Sequence, residues 1–348
     1  ITGHWDGDAG AYIAKTASNA LPCGTYTVVE SEAPEGYLVS DWSAKAEIES
    51  DGQVVDLTSS PCADDVIRGG VQVTKSDVEL QASEALGGNS HDALDTGSTL
   101  SGIEFTIANA SEHKVLVGDK WFEPGDAIET IATSWNDEER AYTAQTAADE
   151  LPYGTYTIQE TKTNDSYLLT DGEPRTFKIR TDGLTVTADA EGGELAFYNQ
   201  VVRNDLKLSK KAEDTNASLQ VPFAITNVAT GETHVLVTDR NGQASTEAGW
   251  NKHTQNTNGN DHLLEAEAIT SDMMDAEAGI WFGLGEDGSS APANDALAAL
   301  PHGQYTLEEL PARPTRLRAH HQDLLDRARL RRGRGRLDDA RRPGGAED

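Results

Sequence analysis

The chain has 348 residues, with 28 lysines and arginines against 59 aspartates and glutamates, and a formal net charge of −31. This charge argues against nucleic acid and anionic membrane as partners. No run approaches the ~18 apolar residues of a membrane-spanning helix. Short runs rich in Thr, Val and Tyr alternate with Gly, Asp and Asn, which predicts an all-β protein.

A ten-residue segment occurs three times, as LPCGTYTVVE (21–30), LPYGTYTIQE (151–160) and LPHGQYTLEE (300–309). Two further segments repeat once each. They pair RGGVQVTKSD (68–77) with RNDLKLSKKA (203–212), and IEFTIAN (103–109) with VPFAITN (221–227). One repeat therefore runs from a Lys-bearing strand through a Phe-bearing strand and a variable middle to the LPxGxYT strand. A closing strand, ELAFYNQVV (194–202), leads into the next repeat.

This order predicts three repeats followed by a tail. Residues 1–68 form a repeat without its first strand, 69–202 a complete repeat, and 203–310 a repeat without its last strand. Residues 311–348 hold eleven Arg, no Lys and six acidic residues. We interpret this Arg-rich tail as disordered or as the product of a shifted reading frame, with a genuine basic arm as the alternative. The sequence begins at Ile1 without a recognisable signal peptide, so we expect a fragment of a longer protein.

Strand periodicity places one polar side chain on the apolar face of three strands, because residues i, i+2 and i+4 of a strand share a face. In the complete repeat Lys75 follows Val71 and Val73, Glu160 follows Tyr156 and Ile158, and Asn199 follows Leu195 and Phe197. The same pattern recurs at Lys210, Glu309 and Glu30. If only one strand showed this pattern, we would expect its polar residue to lie at an exposed strand end. Recurrence at equivalent positions favours burial, where charges must be paired or neutralised.

A lysine, a carboxyl group and an asparagine in one apolar pocket can react with each other. Burial favours the neutral amine, which is a nucleophile. A protonated carboxyl group can donate a hydrogen bond to the carboxamide oxygen and shuttle protons. The amine would attack the carboxamide carbon and release ammonia, leaving an amide between Lys and Asn. Contact distance makes this slow reaction plausible, since effective molarities reach about 10⁵–10⁸ M.

These motifs resemble the Cna B-type, or SpaA-type pilin, domains of Gram-positive surface proteins. The segment ESEAPEGYLVSD (30–41) adds a close match to the E-x-x-A-P-x-G-Y signature of that family. The resemblance covers residues 1–310 and implies tandem transthyretin-like or immunoglobulin-like β-sandwich domains. It implies an intramolecular isopeptide bond with Lys75 as nucleophile, Asn199 as acceptor and Glu160 as proton shuttle. After Glu160 the middle repeat reads TKTNDSYLL and departs from the signature, lacking its Pro and Gly.

The two other repeats are expected to have incomplete sites. Aligning CADDVIR with YNQVVR places Asp64 opposite Asn199, so the first repeat has Glu30 and an acceptor but no lysine in position. The third repeat has Lys210 and Glu309 but no acceptor. Only the middle repeat is therefore expected to cross-link.

The resemblance implies a secreted, pilin- or adhesin-like structural protein on the cell wall of a Gram-positive bacterium, and not an enzyme. Its partners would be other subunits of a surface fibre and a host matrix protein or glycan, with no nucleic acid, membrane insertion, cofactor or metal. The alternative is a carbohydrate- or matrix-binding module without a cross-link, using loop aromatics such as Trp121, Trp135, Trp250 and Trp281. A hydrolase is disfavoured because no nucleophile elbow or metal-ligand spacing stands out. Cys23 and Cys62 match no zinc spacing, and the sequence leaves open whether they form a disulfide or are free thiols.

Overall fold

The computed structural model describes residues 1–88, 96–254 and 259–311, so the predicted tail lies almost wholly outside the described residues. The chain divides into two compact units. The first comprises Ile1–Ser76, Ser101–Asn164 and Leu169–Asn199, and the second comprises Asp77–Leu100, Asp165–Leu168 and the chain from Gln200 onward. The first unit thus combines the predicted first repeat with most of the predicted middle repeat.

The described residues are almost entirely strand and loop, as the sequence predicts. The strands up to the end of the first repeat are β1 (His4–Asp6), β2 (Ala11–Ile13), β3 (Gly24–Val29) and β4 (Ser43–Ile48). The next strands are β5 (Arg68–Asp77), β6 (Glu104–Asn109), β7 (Val115–Val117), β8 (Lys120–Phe122), β9 (Ala127–Ala132), β10 (Ser134–Asn136), β11 (Ala141–Gln145), β12 (Leu151–Pro152), β13 (Gly154–Lys162), β14 (Tyr167–Leu168), β15 (Arg175–Ile179), β16 (Thr185–Val186) and β17 (Ala196–Val201). They are followed by β18 (Arg203–Asn204), β19 (Lys207–Ser209), β20 (Pro222–Asn227), β21 (Thr233–Val237), β22 (Gln243–Ser245), β23 (Leu300–Pro301) and β24 (Tyr305–Glu309).

Two short 3-10 helices, Asp261–Leu264 and Ser271–Met273, lie between β22 and β23. In the described part of the chain, no helix combines the length and apolar character needed to cross a membrane.

The middle repeat is a sandwich of two sheets. One sheet follows the order β10-β11-β5-β17, and β12 and β16 also pair with β5. The other follows the order β15-β13-β6-β9. The sheets meet through rings such as Phe105 and Phe197, whose centroids lie 4.8 Å apart at a T-shaped angle. Their inner faces bury the alternate apolar residues that the sequence predicts, including Val71, Tyr156 and Ile158.

The repeated LPxGxY segment forms the same local structure in all three copies. The tyrosine hydroxyl donates a hydrogen bond to the proline carbonyl four residues earlier, at 2.7 Å for Tyr26, 2.7 Å for Tyr156 and 2.8 Å for Tyr305. In the middle copy, a Cβ at Gly154 would lie 2.9 Å from the Tyr156 hydroxyl oxygen. The middle copy therefore needs glycine at this position, because the Tyr156 ring folds back over Gly154.

The first repeat contributes two hairpins to the first unit. Strand β1 pairs with β2, with Trp5 opposite Tyr12, and β3 pairs with β4. The Trp5 and Tyr12 rings make a T-shaped contact with centroids 5.4 Å apart, and both side chains are exposed. Trp135 and Tyr142 form the same cross-strand pair in the middle repeat, where Tyr142 is fully buried opposite Lys75 of β5.

The second unit is built on a three-stranded sheet of order β21-β20-β24 and two strand pairs, β18-β23 and β19-β22. Its main core contains Ile225, Leu236, Ala244, Ile280, Phe282, Ala299 and Leu300. A smaller cluster joins Val235 and Val237 to Leu263 and Ile269. Arg203 reaches into this unit, where its guanidinium lies 3.8 Å from the Trp281 ring centroid and forms an ion pair with Glu79.

Candidate functional site

Three strands of the middle repeat bring Lys75, Glu160 and Asn199 together. Lys75 lies on β5 and Asn199 on β17, which are neighbours in one sheet, while Glu160 lies on β13 of the opposite sheet. All three residues have 0% of their surface exposed. The strand alternation that places apolar side chains in the core therefore places these three polar side chains there as well.

The Glu160 carboxylate bridges the other two side chains. Lys75 Nζ lies 2.8 Å from Glu160 Oε2, and Asn199 Nδ2 donates a hydrogen bond of 2.6 Å to Glu160 Oε1. One oxygen of the carboxylate thus faces the amine and the other faces the carboxamide. This arrangement satisfies the rule that a buried charge needs a partner, and it holds two groups that can react beside a common proton carrier.

Burial lowers the pKa of the Lys75 amine, and the Glu160 carboxylate opposes that effect only in part. The neutral amine is consequently easier to form here than on the protein surface. A neutral amine is the nucleophilic form of lysine.

The orientation of the Asn199 side chain differs from the sequence-based expectation of a hydrogen bond between Glu160 and the carboxamide oxygen. Nδ2 faces Glu160, whereas Oδ1 accepts a 3.3 Å hydrogen bond from the backbone N–H of Thr170. The Thr170 hydroxyl lies 3.5 Å from the same oxygen. The donor to the carboxamide oxygen is therefore Thr170 and not Glu160. Sequence reasoning missed it because its backbone donor leaves no signature in a loop of ordinary composition.

The first repeat brings together the two carboxyl groups that the alignment predicts. A backbone hydrogen bond from Ser40 lowers the pKa of Glu30, while burial and a hydrogen bond with Glu30 raise the pKa of Asp64. Ser40 donates to Glu30 Oε2 through both its N–H and its hydroxyl group, each at 3.0 Å. Glu30, Cys62 and Asp64 place one ligand atom each within 4.8 Å of one another, a spacing that a metal ion could bridge. Cys23 and Cys62 are both free, exposed thiols.

The third repeat pairs Lys210 with Glu309. Lys210 Nζ lies 2.5 Å from Glu309 Oε2, and the two side chains are 31% and 42% exposed. Glu309 stands opposite Phe223 in β20, as Glu160 stands opposite Phe105 in β6. The pairing of Lys and Glu is thus repeated, but at the surface and not in a closed core.

The four tryptophans proposed as ligand contacts have different environments. Trp281 is fully buried, and Trp135 is half-buried against Tyr142. Trp121 is 54% exposed, with Lys114 Nζ 4.8 Å from its ring centroid. Trp250 is 43% exposed and lines an open groove of about 670 Å³ together with residues such as Lys252, Asp275 and Glu277. Two of the four tryptophans are therefore packing residues, and two remain available at the surface.

Comparison with solved structures finds proteins with low sequence identity. The Bacillus anthracis TIE protein is 24% identical with a TM-score of 0.40, over 65% of this chain and 34% of that chain. A Streptococcal ancillary pilin is 16% identical with a TM-score of 0.24, over 65% and 62%. The shaft pilin SpaA from Lactobacillus rhamnosus GG is 18% identical with a TM-score of 0.22, over 50% and 67%. The matches thus span about a third of the first of these chains and less than two thirds of the second.

Comparison with curated protein sequences gives no match. A protein-family comparison matches residues 10–61 and 91–194 to the family SpaA, described as a prealbumin-like fold domain. The matched segments fall in the predicted first and middle repeats and include Glu30 and Glu160. Residues 10–61 and 91–194 are thus similar to SpaA-type prealbumin-like domains, which agrees with the two-sheet sandwich of the middle repeat.

Proposed function

We propose that this protein is a pilin- or adhesin-like structural component of a Gram-positive cell surface, and that an isopeptide bond between Lys75 and Asn199 stabilises its middle repeat. The observation that supports the bond is the buried Glu160 carboxylate, which contacts the amine at 2.8 Å and the carboxamide nitrogen at 2.6 Å. The SpaA-type family match supports the structural role. The other subunits of a surface fibre would be the partners.

The reaction needs only the groups in this pocket. Glu160 takes a proton from Lys75, and the neutral Nζ attacks Cγ of Asn199 while the Thr170 N–H stabilises the charge that develops on Oδ1. Glu160 then gives a proton to Nδ2 as it accepts a second proton from Nζ. The Cγ–Nδ2 bond breaks, ammonia leaves, and one proton remains on Glu160 or departs as ammonium. The bond forms once per molecule, so the protein is not a turnover enzyme.

The bond would suit a protein that carries tension. It would join β5, the first strand of the middle repeat, to β17, its last strand, and close a loop of roughly 124 residues. By analogy with a disulfide, restriction of the unfolded chain would stabilise the repeat by about 4–5 kcal/mol. A force applied along the chain would be borne by a covalent bond before the enclosed strands separate.

Intact mass spectrometry of the full chain tests the bond. The wild type is expected to be lighter than its sequence by one ammonia molecule, whereas Glu160→Ala and Lys75→Arg should both have the full mass. Lys210→Arg is the matched control and should keep the ammonia loss. Because asparagine can lose ammonia in other ways, tandem spectrometry of a peptide pair joining Lys75 to Asn199 is also required. A wild type of full mass would rule out the bond.

A second candidate function is the binding of a carbohydrate by the Trp250 groove. The groove combines an exposed indole with the charged side chains of Lys252, Asp275 and Glu277. An aromatic ring with convergent polar groups is the usual composition of a small-molecule site. Asn260 is fully buried and bonds both the N–H and the carbonyl of Asp275, which anchors this part of the groove wall.

A glycan array with the full chain tests this candidate. Binding should be lost in Trp250→Ala and kept in Trp121→Ala, the matched exposed tryptophan of the first unit. Equal binding by both variants, or no binding by the wild type, would contradict a glycan site at this groove. A parallel screen against collagen and fibrinogen would show whether the chain instead recognises a matrix protein.

A further inference from the structure

The contact between the first and middle repeats, both within the first unit, includes a tyrosine outside the Lys75 pocket. Tyr153 occupies the variable position of LPYG and is half-buried. Its hydroxyl group donates a hydrogen bond to the Glu35 carboxylate of the first repeat. The Arg180 guanidinium of the middle repeat lies 4.2 Å from its ring centroid. One aromatic side chain therefore contacts both repeats.

The ring also packs closely against Gly36, where an added side chain would crowd it. A Cβ at Gly36 would lie 3.0 Å from the nearest Tyr153 ring atoms, and the backbone of Gly36 has a φ of +90°. Any side chain there would meet both a steric conflict and an unfavourable backbone conformation. Gly36 belongs to the APEGY turn of the first repeat, so this turn has the shape needed to receive the ring.

Backbone hydrogen bonds connect the same three segments. The Ile67 N–H donates to the Gly36 carbonyl at 2.9 Å, and the Tyr153 N–H donates to the Ile67 carbonyl at 2.8 Å. The linker between the repeats is thereby held between the APEGY turn and the LPYG turn. The link from linker to LPxG recurs in the third repeat, where the His302 N–H donates to the Val202 carbonyl at 2.7 Å.

We propose that Tyr153 and the Glu35–Gly36 turn form a docking contact that holds the first and middle repeats as one rigid body. The backbone part of the contact uses no particular side chain, whereas the variable residue of LPxG is Cys23, Tyr153 or His302 in the three copies. In the middle repeat, the residue at that position therefore determines the side-chain contact with the first repeat. The inference is independent of the isopeptide bond, because none of its contacts involves Lys75, Glu160 or Asn199.

Distance measurement between two spin labels in the full chain tests the proposal. Both cysteines are replaced by serine, and labels are attached through Glu47→Cys on β4 and Lys178→Cys on β15, two exposed positions in different repeats. The parent is expected to give one narrow distance distribution. Tyr153→Ala and Gly36→Val should each broaden the distribution at least about twofold, because the two repeats would then move relative to one another.

Trp121→Ala removes an exposed aromatic side chain of the middle repeat and is the matched control. It should leave the distribution as narrow as in the parent. Thermal unfolding of each variant checks that both repeats stay folded, and Tyr153→Ala keeps the test decisive if Gly36→Val does not fold. A Tyr153→Ala distribution as narrow as that of the parent would overturn the proposal.

Discussion

At the residue scale, carboxylates are the partners of two buried basic side chains, Lys75 and His234. Glu160 pairs with Lys75 in the first unit, and Asp261 and Glu232 pair with His234 in the second. His234 Nδ1 lies 2.7 Å from Asp261, and Nε2 lies 3.3 Å from Glu232. Removing a partner from such a buried pair typically costs about 3–5 kcal/mol, since the other charge is left without compensation.

His234 makes the stability of the protein depend on pH. Burial opposes its positive charge, but the hydrogen bonds to Asp261 and Glu232 outweigh burial and raise its pKa from 6.5 to about 9. Its contribution is therefore fully present below pH 6.5 and is lost as the pH rises through about 9. We expect the free energy of unfolding, measured with urea, to fall by about 3 kcal/mol across that range.

The matched control is His234→Gln, which keeps polar contacts but does not titrate in this range. Its free energy of unfolding should change much less between pH 6.5 and 9 than that of the wild type. Parallel curves for the two proteins would show that His234 is not the group responsible.

At the scale of the element, β5 carries both the nucleophile of the proposed bond and two glycines that pack closely against neighbouring backbone. A Cβ at Gly70 would lie 2.5 Å from the carbonyl oxygen of Ala147, and a Cβ at Gly69 would lie 2.7 Å from that of Leu184. The two glycines at the start of the strand therefore let neighbouring backbone approach. Since Lys75 lies five residues further along β5, the position of this strand also sets the position of the amine.

Gly70→Val is expected to destabilise the middle repeat because its side chain would displace the backbone at Ala147. Overpacking of this kind lowers the free energy of unfolding by about 1–3 kcal/mol. We expect a value at the upper end of that range, because the atom that must move belongs to the backbone. Thermal unfolding of the full chain is the measurement. Gly249→Ala is the control, since a Cβ there meets nothing within 4 Å. Equal unfolding temperatures for the two variants would contradict this account of β5.

At the scale of the whole molecule, the sequence repeats and the compact units follow different boundaries. Asp77–Leu100 comes directly after most of β5 in the sequence but groups with the second unit, as does Asp165–Leu168. The contacts of strand β14 explain why these segments group together. Tyr167 pairs with Val201 at the end of β17 and donates a hydrogen bond to Asp77. Burial raises the pKa of Asp77 to about 6 at this position.

Single-molecule force spectroscopy of the full chain tests the mechanical role. If Lys75 and Asn199 are joined, the roughly 124 residues between them cannot extend. Glu160→Ala should therefore release about 400 Å of additional contour length on unfolding, at about 3.4 Å per residue. The wild type should lack that step. The same total extension for both proteins would show that no bond closes this loop.

The sequence by itself determined the all-β class, the repeated segments and the inward direction of Lys75, Glu160 and Asn199 in the middle repeat. These properties are local, because strand alternation and the LPxGxY turn are set by residues close together in the chain. Tertiary structure alone decided which way the Asn199 amide faces, that Thr170 contacts it, and that the Lys210–Glu309 pair lies at the surface. Glu160 meets partners 85 and 39 residues away, and such contacts depend on how two sheets pack, which no single strand specifies.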